Sequence, residues 1–160
     1  MSRPLPPADF YRPNEYTADE SVGYLLRRLL HSMKQETDKR LDPHGLTNAQ
    51  WEPLFKLKHY GTSTVAELAR VMHTDPGATT RLLDRLEAKG LCKRVRSTED
   101  RRVVNLELTP EGEVAADKIP AALASVMNAH LAGFSKTEWQ ALTGYLRRML
   151  VNGETMRDAP

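Results

Sequence analysis

The chain has 160 residues, of which 40% are hydrophobic, 28% charged and 6% aromatic, and it carries a net charge of +2 at neutral pH. That composition suits a soluble protein with one substantial domain, or a small domain with helical additions, and it excludes general disorder. No apolar run approaches the roughly 18–20 residues that span a bilayer, the opening MSRPLPPADFYRPNEY lacks the apolar stretch of a signal peptide, and a single cysteine, Cys92, excludes an intrachain disulfide and a cysteine-rich zinc site. The expectation is a cytoplasmic protein without a membrane partner.

Residues 1–16 hold four of the ten prolines (Pro4, Pro6, Pro7, Pro13) and the rings of Phe10, Tyr11 and Tyr16, which predicts a flexible N-terminal arm pinned towards its end by the aromatics. Thr17 and Glu20 have the spacing of a capping box, so a long helix should run from there to about Leu41. Its apolar stripe, Val22, Leu25, Leu26, Leu29, Leu30 and Met33, is too wide for one small domain to cover, so residues 17–45 read as a dimerisation helix. Pro43 and Gly45 end it. Thr47 with Gln50 opens a second helix over residues 48–60, carrying Trp51, Leu54, Phe55 and Leu57, with Pro53 tolerated in its first turns and Gly61 as its stop.

Thr62 and Ser63 suit a very short strand, and Thr64 with Glu67 caps a third helix that turns Val65, Leu68, Ala69 and Met72 inward. After a turn at His73 and Thr74, Asp75 caps a fourth helix with Pro76 at its first position. Helical spacing places Ala78, Leu82, Leu83 and Leu86 inward and Gly77, Thr80, Arg81, Asp84, Arg85 and Ala88 broadly outward. Small residues at the start of that face admit a close approach to a DNA groove, Thr79, Thr80 and Arg81 are placed to discriminate bases, and Asp84 to orient Arg81 or Arg85. Gly90 is a left-handed helix stop, residues 91–96 and 103–108 are strand-like, the second by alternation of Val104, Leu106 and Leu108 against Asn105 and Glu107, and the polar tip 97–102 offers Arg101 and Arg102 to a minor groove. From Arg81 to Arg102 eight basic residues face four acidic ones, a net of +4, so the rest of the chain sums to −2. Two helices, a turn and a basic hairpin outline a winged helix-turn-helix that binds double-stranded DNA. Its candidate contacts are Thr64, Pro76, Gly77, Thr79, Thr80, Arg81, Arg85, Arg96, Asp100, Arg101 and Arg102.

Thr109, Pro110 and Glu111 open another helix, through Ala115, Ile119, Leu123, Val126 and Met127 to about Leu131, which Pro120 should kink or divide. Gly133 and Phe134 break it, and Ser135 with Glu138 caps a last helix whose apolar side is Trp139, Leu142, Leu146, Met149 and Leu150. The organisation predicted is a flexible arm (1–16), an N-terminal dimerisation helix (17–45), the winged region (46–110), C-terminal dimerisation helices (111–152) and a polar, frayed tail (153–160). The fold class is mostly α with a small β hairpin. Two-fold symmetry of such a homodimer matches a palindromic operator with half-sites about one helical turn apart.

The five histidines (His31, His44, His59, His73, His130) are widely spaced and form no metal-binding word. With no glycine-rich phosphate loop, paired catalytic carboxylates or nucleophile–base arrangement, neither an enzyme nor a bound cofactor is expected. Cys92 lies in an apolar strand beside Leu91 and suits a buried structural thiol; the alternative is a redox sensor activated by Lys93 and Arg94.

The run TVAELARVMHTDPGATTRLLDRLEAKGLCKRVRSTEDRRVVNLELTPEGE, residues 64–113, resembles the MarR family of bacterial transcriptional regulators. The words Thr80-Arg81-Leu82, Arg85-Leu86-Glu87, Gly90-Leu91, Asp100-Arg101-Arg102 and Leu108-Thr109-Pro110-Glu111-Gly112 occur together and in order, and the likeness extends over about residues 17–152. It implies a homodimer that represses transcription at a promoter palindrome, with the helix beginning near Asp75 in the major groove and the wing in the minor groove. The family's Asp-x-Arg wing is matched by Asp100 and Arg102, where the carboxylate is expected to hold an arginine fork. Many members release DNA when a small aromatic or phenolic acid binds between dimerisation helices and winged module; Tyr24, Arg28, His31, Trp51 and His59 are candidates here on physical grounds. The early reactive cysteine of the peroxide-sensing branch is absent. A winged module used only for protein interaction, and a helical protein that binds small molecules without operator binding, compete with this reading.

Overall fold

The computed structural model describes residues 6–61 and 63–157, and in them six α-helices and three short strands. The start of the predicted arm with Pro4, the strand residue Thr62 and the last three residues lie outside them. The chain divides into two compact units, one of residues 30–127 and one of the described residues up to 29 and from 128 onward.

In the first unit, α2 (Asn48–Tyr60) begins where the Thr47 N–H donates to the Gln50 side chain at 3.2 Å, and it runs unbroken through Pro53. At the head of α3 (Val65–Val71) the capping box is complete: Glu67 N–H donates to Thr64 Oγ1 at 3.2 Å, and Thr64 N–H donates to the Glu67 carboxylate at 2.8 Å. The helix closes with His73 N–H bonded to the Arg70 carbonyl and Thr74 N–H to the Ala69 carbonyl. That closure needs a left-handed residue, and His73 supplies it at φ 52°, where glycine is the usual occupant. The same closure ends α4 (Pro76–Ala88), this time with Gly90 at φ 70° and Leu91 N–H on the Leu86 carbonyl.

The strands β1 (Ser63–Thr64), β2 (Cys92–Arg96) and β3 (Val104–Leu108) form one antiparallel sheet in the order β1-β3-β2, so the expected hairpin carries a third, two-residue strand. Leu106, at the centre of β3, pairs with Ser63 on one side and Arg94 on the other and is fully buried. It joins Leu54, Leu68, Leu83, Leu86 and Ile119 in a core to which Leu41, near the end of α1 (Val22–Leu41), also belongs.

Helix α5 (Pro110–His130) starts hard against the strand entry: Thr109 Oγ1 donates to the Gly90 carbonyl at 2.5 Å and accepts from Gly112 N–H at 3.0 Å. Lys58 then ties α2 to α5 through Glu113 at 2.9 Å and Asp117 at 2.7 Å. Pro120 does not divide α5. Proline removes a single backbone donor, and the buried Ile119, Ala122 and Val126 hold the helix on either side of it.

In the second unit the start of α1 differs from expectation. Thr17 precedes a separate 3-10 turn, Ala18–Glu20, and makes no side-chain cap bond; the cap is Ser21, whose Oγ accepts Tyr24 N–H at 3.2 Å and donates to the Ala18 carbonyl at 2.7 Å. The Tyr11 hydroxyl accepts the Val22 N–H at 3.0 Å, and the Tyr11 and Tyr16 rings meet edge to face at 5.7 Å. Helix α6 (Lys136–Arg157) opens with Ser135 and Glu138 in a reciprocal cap and continues to Arg157, so residues expected to fray are helical. Leu25 and Leu29 on α1 and Trp139, Tyr145, Met149 and Leu150 on α6 leave large apolar surfaces exposed.

Candidate nucleic-acid interface and ligand cavity

Asp75 Oδ1 accepts the Ala78 N–H at 2.9 Å, and with Pro76 this fixes the first turn of α4. Pro76, Gly77, Thr80, Arg81 and Arg85 are all exposed on that helix. An added Cβ on Gly77 would meet Asp75 Oδ1 at 3.1 Å and an Arg81 guanidinium nitrogen at 3.8 Å, so the arginine reaches back over the helix start. The Thr80 hydroxyl donates to the Pro76 carbonyl at 2.9 Å, which leaves its lone pairs able to accept.

Thr79 does not belong to this face. It is 1% exposed, its hydroxyl donates to the Asp75 carbonyl at 3.0 Å, and, its one proton being committed there, it accepts from Thr74 Oγ1 at 2.8 Å. The inward stripe is the buried Thr79, Leu83 and Leu86 with the half-buried Leu82, while Ala78, expected inward, is exposed. The i, i+3, i+4, i+7 spacing of that stripe was the available signal. Thr64 is half-buried and its hydroxyl serves the α3 cap.

The wing is held through its backbone. Ser97 Oγ accepts from the N–H groups of Glu99 and Asp100, and Asp100 Oδ1 accepts the Arg102 backbone N–H at 2.9 Å. Asp100 therefore shapes the loop and does not grip an arginine fork, because its short side chain meets the amide two residues on first. Arg101 and Arg102 project from the tip, and Arg96 and Arg101 flank a depression of about 400 Å³ with Ser97 and Thr98. Among the described residues, none of Arg81, Arg85, Arg96, Arg101 and Arg102 is ion-paired.

Arg94, named from the sequence only as a possible activator of Cys92 and not among the DNA contacts, turns to the recognition helix instead. It bonds Asp84 at 2.6 Å and also Glu87, and the Asp84 contact foremost raises its pKa further. Asp84 is thus engaged by the strand and orients neither Arg81 nor Arg85. Cys92 is buried, with its thiol directed at the Leu83 carbonyl; burial, with the Glu87 charge adding to it, pushes the thiol up to about 11, opposite to what a redox sensor requires.

A cavity of about 550 Å³ opens within the 30–127 unit. Leu30, Met33, Lys34 and Thr37 of α1 line it at i, i+3, i+4 and i+7, opposite Trp51 and Glu52 of α2. Thr74 of the turn and Leu82 of α4 complete the wall on the helix-turn-helix side. Of the five candidate ligand residues, Trp51 alone lines it. His31 is exposed, one residue out of phase with the α1 stripe, and His59 is exposed and rests on Phe55 with ring centroids 4.1 Å apart. Tyr24 and Arg28 belong to the other unit, where the guanidinium lies 5.9 Å from the Tyr24 ring. Lys34, Thr37, Asn48, Glu52 and Thr74 are the polar lining that sequence reasoning missed. Among the described residues no cluster of His, Cys, Asp and Glu is placed to hold a metal ion, and no helix is long and apolar enough to cross a membrane.

Residues 46–104 match the sequence profile of the MarR family. The chain is 34% identical over 113 residues to the HTH-type transcriptional repressor MdtR of Bacillus subtilis, an alignment covering 71% of this chain and 73% of that protein. Its fold is similar to a cysteine-to-serine variant of MarR from E. coli complexed with operator DNA, with a TM-score of 0.75 and 26% identity over 81% of this chain and 93% of the other. It is also similar to BpsR of Bordetella bronchiseptica, solved in connection with regulation of its DNA binding by 6-hydroxynicotinic acid, with a TM-score of 0.72 and 25% identity over 80% and 97% of the two chains.

Proposed function

The chain belongs to the MarR family of transcriptional regulators, DNA-binding proteins and not enzymes, and from that premise we propose that it is a homodimeric repressor released from a palindromic operator by a small aromatic or phenolic acid. The observation that carries the DNA-contact assignment is the set of exposed arginines without ion pairs at both ends of the winged region, Arg81 and Arg85 on α4 and Arg96, Arg101 and Arg102 on the wing. In this reading Pro76, Gly77, Thr80 and Arg81 enter the major groove, Arg101 and Arg102 the minor groove, and Arg85 and Arg96 meet phosphates. Thr64, whose N–H and hydroxyl both donate to the Glu67 carboxylate, has no donor left for one. Asp100 contributes by shaping the wing. The winged region, residues 46–110, is the reading head. Helices in 17–45 and 111–152 form the dimer, a role that the exposed Leu25, Leu29 and Leu150 favour. The protein works in the cytoplasm, where its DNA is.

The cavity supports the effector class. The Lys34 ammonium is a partner for a carboxylate, Glu52 for a phenolic hydroxyl and the Trp51 ring for an aromatic face. Because Thr74 and Leu82 belong to the helix-turn-helix, an occupant that prefers one placement of α4 shifts the population of DNA-competent dimers by its differential affinity. Regulation of BpsR by 6-hydroxynicotinic acid is an analogue of such control.

Footprinting on DNA flanking the gene, with and without aromatic acids that include 6-hydroxynicotinate, tests both parts. A protected palindrome released by one acid is expected. Arg102→Ala should weaken binding and flatten the slope of log affinity on log salt by about 0.9, the signature of one fewer cation neutralising the DNA. Protection of no fragment would favour a protein-interaction module. Ligand binding that leaves operator affinity unchanged would favour a small-molecule-binding role, and a monomeric mass in solution would remove the palindrome argument.

A further inference from the structure

Arg94 stands in β2, two residues before the strand gives way to the wing, yet its side chain turns back to the recognition helix. Its guanidinium bonds Asp84 Oδ1 at 2.6 Å and also the Glu87 carboxylate, and its backbone N–H donates to Glu87 Oε1 at 3.2 Å. Asp84 follows Thr80 by four residues and Arg81 by three, so it lies on the helix face assigned to the major groove. One cation serves two carboxylates, and the cluster keeps a net charge of −1. It therefore adds nothing to the generic attraction of phosphates, in contrast to Arg81 and Arg102. The rigid guanidinium plane reaching two acids on successive turns does fix the direction in which β2 leaves α4.

Resting on the DNA-binding reading above, we infer that Arg94 is a positioning residue: it locks the wing to the recognition helix so that major- and minor-groove contacts form as one unit, and it does not itself meet phosphate. The lock confers preference for a sequence whose two grooves present their contacts at the fixed spacing.

The test compares two duplexes of about 30 base pairs, one carrying the palindrome that the full-length protein enriches from a random pool and one scrambled, between about 50 and 300 mM salt. Arg94→Gln should lower the preference for the palindrome about tenfold while the affinity for the scrambled duplex stays within about threefold and its salt slope is unchanged. Arg94→Lys, which reaches one carboxylate at a time, should retain an intermediate preference. The paired change Asp84→Asn with Glu87→Gln keeps the shapes of both side chains but frees the guanidinium. It should raise affinity for the scrambled duplex, steepen its slope by about 0.9 and reduce preference for the palindrome. Equal weakening on both duplexes with a slope flattened by about 0.9 in Arg94→Gln would overturn the inference in favour of direct phosphate contact. Unchanged preference in both the glutamine and the paired variants would overturn it outright. If the unaltered protein enriched no sequence, the DNA-binding reading itself would fall and take the inference with it, an outcome distinct from the other two.

Discussion

Replacing Gly112 by alanine should destabilise the protein, although in most helices the same exchange stabilises by up to about 1 kcal/mol. The added Cβ would lie 1.8 Å from the Leu91 carbonyl oxygen and 2.8 Å from its carbon, where ordinary contact begins near 3.4 Å. The obstacle is backbone, so the start of α5 has to withdraw by more than an ångström. Two bonds that seat it, Thr109 N–H to the Leu91 carbonyl at 3.2 Å and Thr109 Oγ1 to the Gly90 carbonyl at 2.5 Å, cannot survive such a shift. Their loss is worth about 1 kcal/mol each, overpacking adds about 1–3, and the helix preference of alanine offsets up to about 1, for a net loss of about 2–4 kcal/mol. Urea unfolding followed by circular dichroism, at one protein concentration because the proposed dimer couples to folding, should show the midpoint falling by on the order of 1 M. Gly144→Ala in α6, where nothing lies within 4 Å of the new methyl, serves as the reference and should not lower it. An unchanged or higher midpoint for Gly112→Ala would refute the close approach of α5 to Leu91.

Three further outcomes are expected. His73→Gly should raise stability by roughly 0.5–1 kcal/mol, because His73 holds a left-handed φ of 52° that costs a side-chain-bearing residue; a loss in thermal unfolding would show that its imidazole compensates. Thr79→Val should cost about 1–3 kcal/mol by removing the hydroxyl between Thr74 and the Asp75 carbonyl, yet leave base preference unaltered in a selection from random DNA; a changed preference would return Thr79 to the reading face. Cys92 has its folded pKa raised from 9.0 to about 11, so the unfolded chain loses its proton first. Its contribution is complete below pH 9 and is lost as pH rises from there to about 11, at up to about 1.4 kcal/mol per pH unit. Unfolding of Cys92→Ala across that range should lack this component of the decline.

Much of the fold was legible because its signals are local. The pairs Thr64–Glu67 and Ser135–Glu138 are reciprocal caps as spaced, Asp75 and Pro76 start α4, and Gly90 closes it. Errors arose where two local solutions competed. Thr17–Glu20 has the spacing of a cap, but the chain uses Ser21 because a 3-10 turn intervenes. Thr79 looked like an outward hydroxyl beside Thr80, and a rotation of one residue, about 100° on a helix, separates a base contact from a core group.

What the sequence determined by itself is the order and kind of the elements and the concentration of basic charge between Arg81 and Arg102, since caps, periodicity and composition act over a few residues. The choice of partners came only with the tertiary structure. Arg94 and Asp84 are ten residues apart and meet because Gly90 turns β2 back along α4, and Lys34 faces Trp51 across a cavity that neither helix encodes alone. Whether a charge is neutralised or a ring lines a cavity depends on neighbours brought in from distant segments, and the packed core sets which of them arrive.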